Sequence, residues 1–174
     1  MKHVRHALQP EMGFLIGREE GVRLKEAICG ELAEQPVNTV LSLDFSAVEF
    51  VDVSCADELV VKVLARLQAG ELPDRFLILA GLKAQHRENI EAALSVGGKA
   101  VFAEADGAWT TLGELISSYR EALEVVNRQG VITARVLDLM RGGVIHMHGR
   151  RMLEVHHEQL SVTVEGLLAS GESC

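Results

Sequence analysis

The chain has few aromatic residues: one Trp, one Tyr and five Phe among 174 residues. Its core is therefore expected to be aliphatic, built from Val, Leu, Ile and Ala. Cysteine is also scarce. Cys29, Cys55 and Cys174 are odd in number and share no CxxC spacing, which fits free thiols in a reducing cytoplasm better than a disulfide framework. No apolar run approaches the length that spans a bilayer. The opening stretch MKHVRHALQPEMG has no continuous apolar core of signal-peptide length. A cytoplasmic protein with no membrane partner is the expectation. There is no run of Lys and Arg, and the net charge of −8 argues against a broad nucleic-acid surface. With 48% hydrophobic and 24% charged residues the chain is globular rather than disordered. Its length suits one domain of ordinary size plus a smaller appendage.

Strand and helix signals alternate through the first part. His3 to Leu8 and Phe14 to Ile16 read as two short strands separated by the turn-like Pro10 to Gly13. Glu19 to Glu34 reads as a helix with Leu24, Ile28 and Leu32 four apart, closed by Pro36. Thr39 to Phe45 is expected to be a central strand, with Asp44 near its end. A second helix is expected from about Cys55 to Ala69, its apolar face carried by Leu59, Val60, Val63, Leu64 and Leu67. Phe76 to Ala80 is a strand, Ala84 to Val96 a helix stopped by Gly97-Gly98, and Lys99 to Ala103 a last strand. This order implies an α/β domain with a partly parallel sheet and right-handed crossovers. Glu104 to Gly107 reads as a boundary between residues 1–105 and a small α+β module over 106–174.

The most informative stretch is Leu43-Asp44-Phe45-Ser46-Ala47-Val48-Glu49-Phe50-Val51-Asp52-Val53-Ser54-Cys55-Ala56-Asp57-Glu58-Leu59. It resembles the centre of STAS domains, the family of anti-sigma factor antagonists. There a strand ending in Asp is followed by a short apolar link and then Asp-Ser-Ser-Gly opening a helix. The Ala-Asp-Glu-Leu variant is more similar to a divergent STAS-like branch, and the element order over residues 1–105 agrees. The resemblance implies a STAS-like mixed sheet with packed helices and a non-enzymatic role in signalling and transcription regulation. In typical antagonists the second Ser of the motif is phosphorylated by an anti-sigma factor kinase, and Ser54 takes that position. Val53 replaces the first Ser and Cys55 the Gly, so the loop lacks one hydroxyl and one flexible residue.

Ser54 has two readings. In Ser54-Cys55-Ala56-Asp57 the serine is placed to cap the helix, with an acid three residues on. A phosphate there would instead sit at a helix N-terminus and crowd Asp52, Asp57 and Glu58, switching binding off through repulsion and bulk. Asp52, Ser54, Asp57 and Glu58 are thus the expected contacts to a regulatory protein, kinase or anti-sigma-like. Asp44 and Asp52 both fall at loops where open α/β sheets bind ligands. Loop hydrogen bonding is the plainer account of the two acids than an acid/base pair. No nucleophile elbow, Walker A loop or dinucleotide fingerprint accompanies them, so no catalytic residue and no cofactor is expected.

Leu112 to Val126 has the spacing of an amphipathic helix over about 111–128, and Thr133 opens a shorter one. Val144 to His156 reads as a hairpin that puts His146, His148, Glu154 and His156 on one polar face, a weak candidate for Zn or Ni. Leu123 to Met140 resembles the helix–turn–helix stretches of bacterial winged-helix regulators, and Ser161 to Val164 is similar to the start of a recognition helix. About twenty residues separate Met140 from Ser161, far more than the turn of a standard module. Arg150 and Arg151 at the hairpin tip are the candidate DNA contacts. The leading expectation is a partner-binding regulator, with self-association left open. The alternative is a DNA-binding regulator that uses residues 1–105 as sensor.

Overall fold

The computed structural model describes residues 2–105 and 108–114. These belong to a compact unit spanning Met1–Leu115, and a second unit, Ile116–Cys174, lies outside the described residues. The strands in chain order are β1 (Lys2–Ala7), β2 (Phe14–Leu15), β3 (Thr39–Asp44), β4 (Phe50–Val51), β5 (Arg75–Ala80), β6 (Ala100–Ala105) and β7 (Ala108–Gly113). Five of them form one sheet in the order β1-β3-β5-β6-β7. The first four run parallel and β7 pairs antiparallel to β6. The fold is thus α/β with a mostly parallel sheet.

Parallel strands need crossover connections, and helices supply them. α1 (Arg18–Glu34) lies between β2 and β3, and α4 (Ala84–Gly97) between β5 and β6. Between β4 and β5 the backbone stays helical without a break through α2 (Val53–Ala56), a π-helical turn (Asp57–Val61) and α3 (Lys62–Gln68). Side chains alternate along a strand, so register decides which residues share a face. Leu41 pairs with Leu77, Leu43 with Leu79, and Leu79 with Ala103. This row packs in one apolar cluster with Ile28 and Leu32 of α1, Leu59 of the π turn, Val63 and Leu67 of α3, and Ile90 and Leu94 of α4. Burying each such Leu or Ile stabilises by about 1.5–3 kcal/mol. The alternate residues Val40, Phe76, Ile78 and Phe102 are buried on the opposite face. Burial on both faces explains why TVLSLD and RFLILA read as nearly unbroken apolar runs.

The structure supplies a strand pairing that the sequence left open, and three features differ from the sequence reading. The two initial strands do not pair with each other: β1 joins the large sheet, while β2 and β4 form a separate parallel ladder. The second helix begins at Val53 rather than Cys55 and contains the π turn. The π turn buries Glu58, Leu59, Val60 and Val61 in succession, because it is packed against both α1 and α4. The segment expected to open a helix at residue 111 is instead strand β7, which gives the far edge of β6 a hydrogen-bonding partner. Trp109, Thr110 and Thr111 are all residues that favour strands. Among the described residues no helix is long and apolar enough to cross a membrane.

Candidate functional site

The link between β4 and α2 is held by one carboxylate. Asp52 accepts the Cys55 N–H at 2.6 Å through Oδ1 and the Gly17 N–H at 2.8 Å through Oδ2. Gly17 precedes α1 and Asp52 precedes α2, so this side chain ties together the N-termini of two helices. Asp52, not Ser54, is therefore the helix cap. Aspartate and serine are both good capping residues, and the choice between them is made by β4, which delivers the chain in extended conformation to Asp52. Ser54 is left one residue inside the helix. It is exposed and makes no side-chain hydrogen bond among the described residues.

Below this point α1 and the π turn come very close. A Cβ on Gly21 would stand 2.8 Å from the Cys55 carbonyl oxygen and 2.8 Å from Glu58 Cβ. The Glu58 side chain is only 8% exposed and lies between two cations of α1. Lys25 Nζ donates to Oε2 at 3.0 Å and Arg18 Nη1 to Oε1 at 2.5 Å. The Lys25 bond, opposed by burial and reinforced by Arg18, holds this carboxyl below its ordinary value. Asp57 is half-buried, 3.5 Å from Arg18 and 3.7 Å from Lys62. Of the four expected partner contacts, Asp52 and Glu58 thus serve the interior and Asp57 is paired. Ser54 is the one that faces solvent freely, beside exposed Val53.

Asp44 is not joined to Asp52 in an acid/base pair. It ends β3 in the large sheet, whereas Asp52 follows the separate ladder. Its Oδ2 accepts from Arg5 Nε at 2.8 Å, and its Oδ1 accepts the Ser46 N–H at 2.9 Å and the Ser46 hydroxyl at 2.6 Å. Burial pushes the Asp44 pKa up, but the bonds from Arg5 and Ser46 outweigh it and hold the carboxyl below its ordinary value. Gly81 crosses this cluster with a positive φ of 67°, and a Cβ there would collide with both Ser46 Oγ and Asp44 Oδ1. With both oxygens occupied, Asp44 is a loop anchor.

Compared with protein-family models, curated proteins and solved structures, the chain matches none.

The remaining reactive groups of the described part are quiet. Cys29 and Cys55 are buried free thiols. Burial raises both pKa values, that of Cys55 to about 12, so neither is a thiolate nucleophile at neutral pH. His86 is fully buried, and burial lowers its pKa so that the ring is neutral, with Nδ1 accepting the Lys83 N–H at 3.2 Å. Among the described residues no three His, Cys, Asp or Glu side chains gather as a metal site. The hairpin candidates His146, His148, Glu154 and His156, and the arginines Arg150 and Arg151, lie outside the described residues.

Sequence reasoning missed one surface feature. Met12, Phe14 and Ile16 are exposed beside the Asp52 loop. The available signal was the alternation Phe14-Leu15-Ile16, which forces two of three apolar side chains outward if Leu15 points in.

Proposed function

We propose that this chain is a non-enzymatic regulator that binds a protein partner through a STAS-like domain, with Ser54 as the position of regulation. One observation carries the reading. Ser54 stands exposed on a helix start that Asp52 holds rigidly, while the acids around it are engaged within the molecule. A rigid scaffold presenting an unengaged hydroxyl suits modification, and a phosphate would add about −1.5 to −2 charge and bulk there. The Asp44-to-Leu59 motif and the alternation of strands and helices support the STAS-like assignment. The occupied oxygens of Asp44 and Asp52 favour recognition over acid/base catalysis. The cytoplasm fits the buried free thiols Cys29 and Cys55.

The test is affinity capture from native lysate with the tagged full chain, alongside phosphopeptide mapping of the native protein. Wild type and Ser54→Ala retain the same partner, and Ser54→Glu recovers at least tenfold less of it. A phosphosite elsewhere, with Ser54 unmodified and the partner retained equally by Ser54→Glu, would falsify the reading. Salt-dependent retention of the chain on DNA without any captured protein favours the DNA-binding alternative instead.

A further inference from the structure

We propose that the solvent face of the β2–β4 ladder, extended by Met12 and Val53, docks a basic amphipathic segment of a partner protein, in which Lys or Arg side chains flank an apolar face. This rests on the partner-binding reading above and names the chemistry of the partner.

The described part exposes seven large hydrophobic side chains, and four of them lie on the ladder strands or within two residues of them in the chain: Met12 at 88%, Phe14 at 49%, Ile16 at 57% and Val53 at 41%. Register sets which ladder residues face outward. Phe14 pairs with Phe50 and Leu15 with Val51. Leu15 and Val51 are buried, so Phe14 and the partly exposed Phe50 share the outer face. The Asp52 N–H donates to the Leu15 carbonyl at 3.0 Å, and the Asp52 carboxylate holds the Gly17 N–H. Ile16 is therefore alongside Asp52 and Val53, with Ser54 next in the chain. Exposed apolar residues on soluble proteins are mostly scattered singly, so several on one two-stranded ladder and its immediate continuations, aromatic and Met side chains among them, point to a binding surface. Met12 also holds a left-handed backbone, φ 54°, which a non-glycine residue adopts at a cost.

Charge selects the partner. Three cations near the patch are already engaged: Arg18 on Glu58 and Asp57, Arg23 on Glu20 through two bonds, and Lys83 on Glu49, while Arg87, one turn beyond Lys83 in α4, forms no ion pair among the described residues. Glu11 precedes Met12 and Glu19 lies in the first turn of α1. Both are exposed and neither forms an ion pair among the described residues, although Arg23 feels Glu11 at longer range. Glu11 and Glu19 thus place two unpaired negative charges on the β2 side of the apolar face, against the single unpaired Arg87 on the α4 side. This negative excess favours a basic partner and opposes both a second copy of this chain and an anionic lipid surface.

The experiment uses the full chain and two fluorescent synthetic peptides. One is an amphipathic Leu/Lys helix, and the other is the same peptide with Glu replacing Lys. Anisotropy titrations are run on wild type, on Phe14→Ser/Ile16→Ser, and on Glu11→Lys/Glu19→Lys, with circular dichroism confirming that the exposed substitutions leave the fold intact. The basic peptide binds wild type at least tenfold more tightly than either variant, and the acidic peptide gains on the charge-reversed variant alone. Equal binding of the basic peptide to all three proteins overturns the proposal. So does a wild-type dimer in sedimentation that Phe14→Ser/Ile16→Ser converts to monomer, or wild-type binding to anionic vesicles that the same variant loses. Capture of the native partner separates this inference from the reading beneath it. A partner lost on Ser54→Glu but retained by Phe14→Ser/Ile16→Ser leaves the regulator and removes this docking surface.

Discussion

Exchanging Asp52 and Ser54 for alanine, one at a time, tests which residue organises the helix start. Asp52→Ala removes two acceptors together, from the Cys55 N–H at 2.6 Å and the Gly17 N–H at 2.8 Å. Loss of an N-cap costs roughly 1 kcal/mol, with a range of about 0.5–2. The Gly17 N–H, part-buried at the start of α1, adds about 1–2 kcal/mol when stranded. The sum is about 2–3 kcal/mol, or roughly a 10 °C fall in Tm for a unit of this size. Ser54→Ala removes an exposed hydroxyl that bonds to nothing described, so its effect stays within about 0.5 kcal/mol. Asp52→Asn keeps one acceptor oxygen and falls between. Urea titrations followed by circular dichroism measure all three. A Ser54→Ala cost of about 1 kcal/mol with Asp52→Ala near neutral would refute the reasoning and return the cap to Ser54.

Two further outcomes follow from the packing of α1 on the π turn. Gly21→Ala and Gly30→Ala both improve helix propensity in α1, by up to about 1 kcal/mol. Nothing stands within 4 Å of a Cβ at Gly30, whereas one at Gly21 meets backbone and Cβ atoms at 2.8 Å. Gly30→Ala therefore raises the urea midpoint, and Gly21→Ala lowers it, overpacking there costing about 1–3 kcal/mol. Two shifts of the same sign would contradict the close approach. Glu58→Gln takes the nearer charge partner from nearly buried Lys25, leaving only exposed Glu26 at 3.7 Å, and costs about 2 kcal/mol at neutral pH. The Glu58 pKa is lowered from 4.5 on folding, so its contribution is present above that value and lost as pH falls through the folded pKa. Urea midpoints between pH 7 and pH 3 should converge for wild type and variant. A gap independent of pH would mean that the carboxylate charge plays no part.

Much of the element order is legible because its causes are local. The four-residue spacing of Leu24, Ile28 and Leu32 yields α1, and Gly98, the second of a glycine pair that reads as a stop, ends α4 in a left-handed conformation. The unbroken apolar runs of β3 and β5 point to inner strands. The site is less legible for a reason visible at Asp52 to Ser54. Both residues are capping residues by type, and their order in the chain carries no information about where the extended backbone ends. Glu58 reads as an exposed acid from its polar neighbours, yet the π turn, which is invisible in a 3.6-residue pattern, turns it inward onto Arg18 and Lys25.

By itself the sequence determined the α/β alternation, the aliphatic core and the focus on Asp44 to Leu59, because periodicity and residue type act over a few neighbours. Only the tertiary structure decided that β2 pairs with β4, that one carboxylate binds the starts of two helices, and that Ser54, Phe14 and Ile16 are exposed to solvent. Those facts depend on contacts between residues about 35 positions apart, such as Gly17 with Asp52, and no local pattern encodes which of two nearby polar residues will make them.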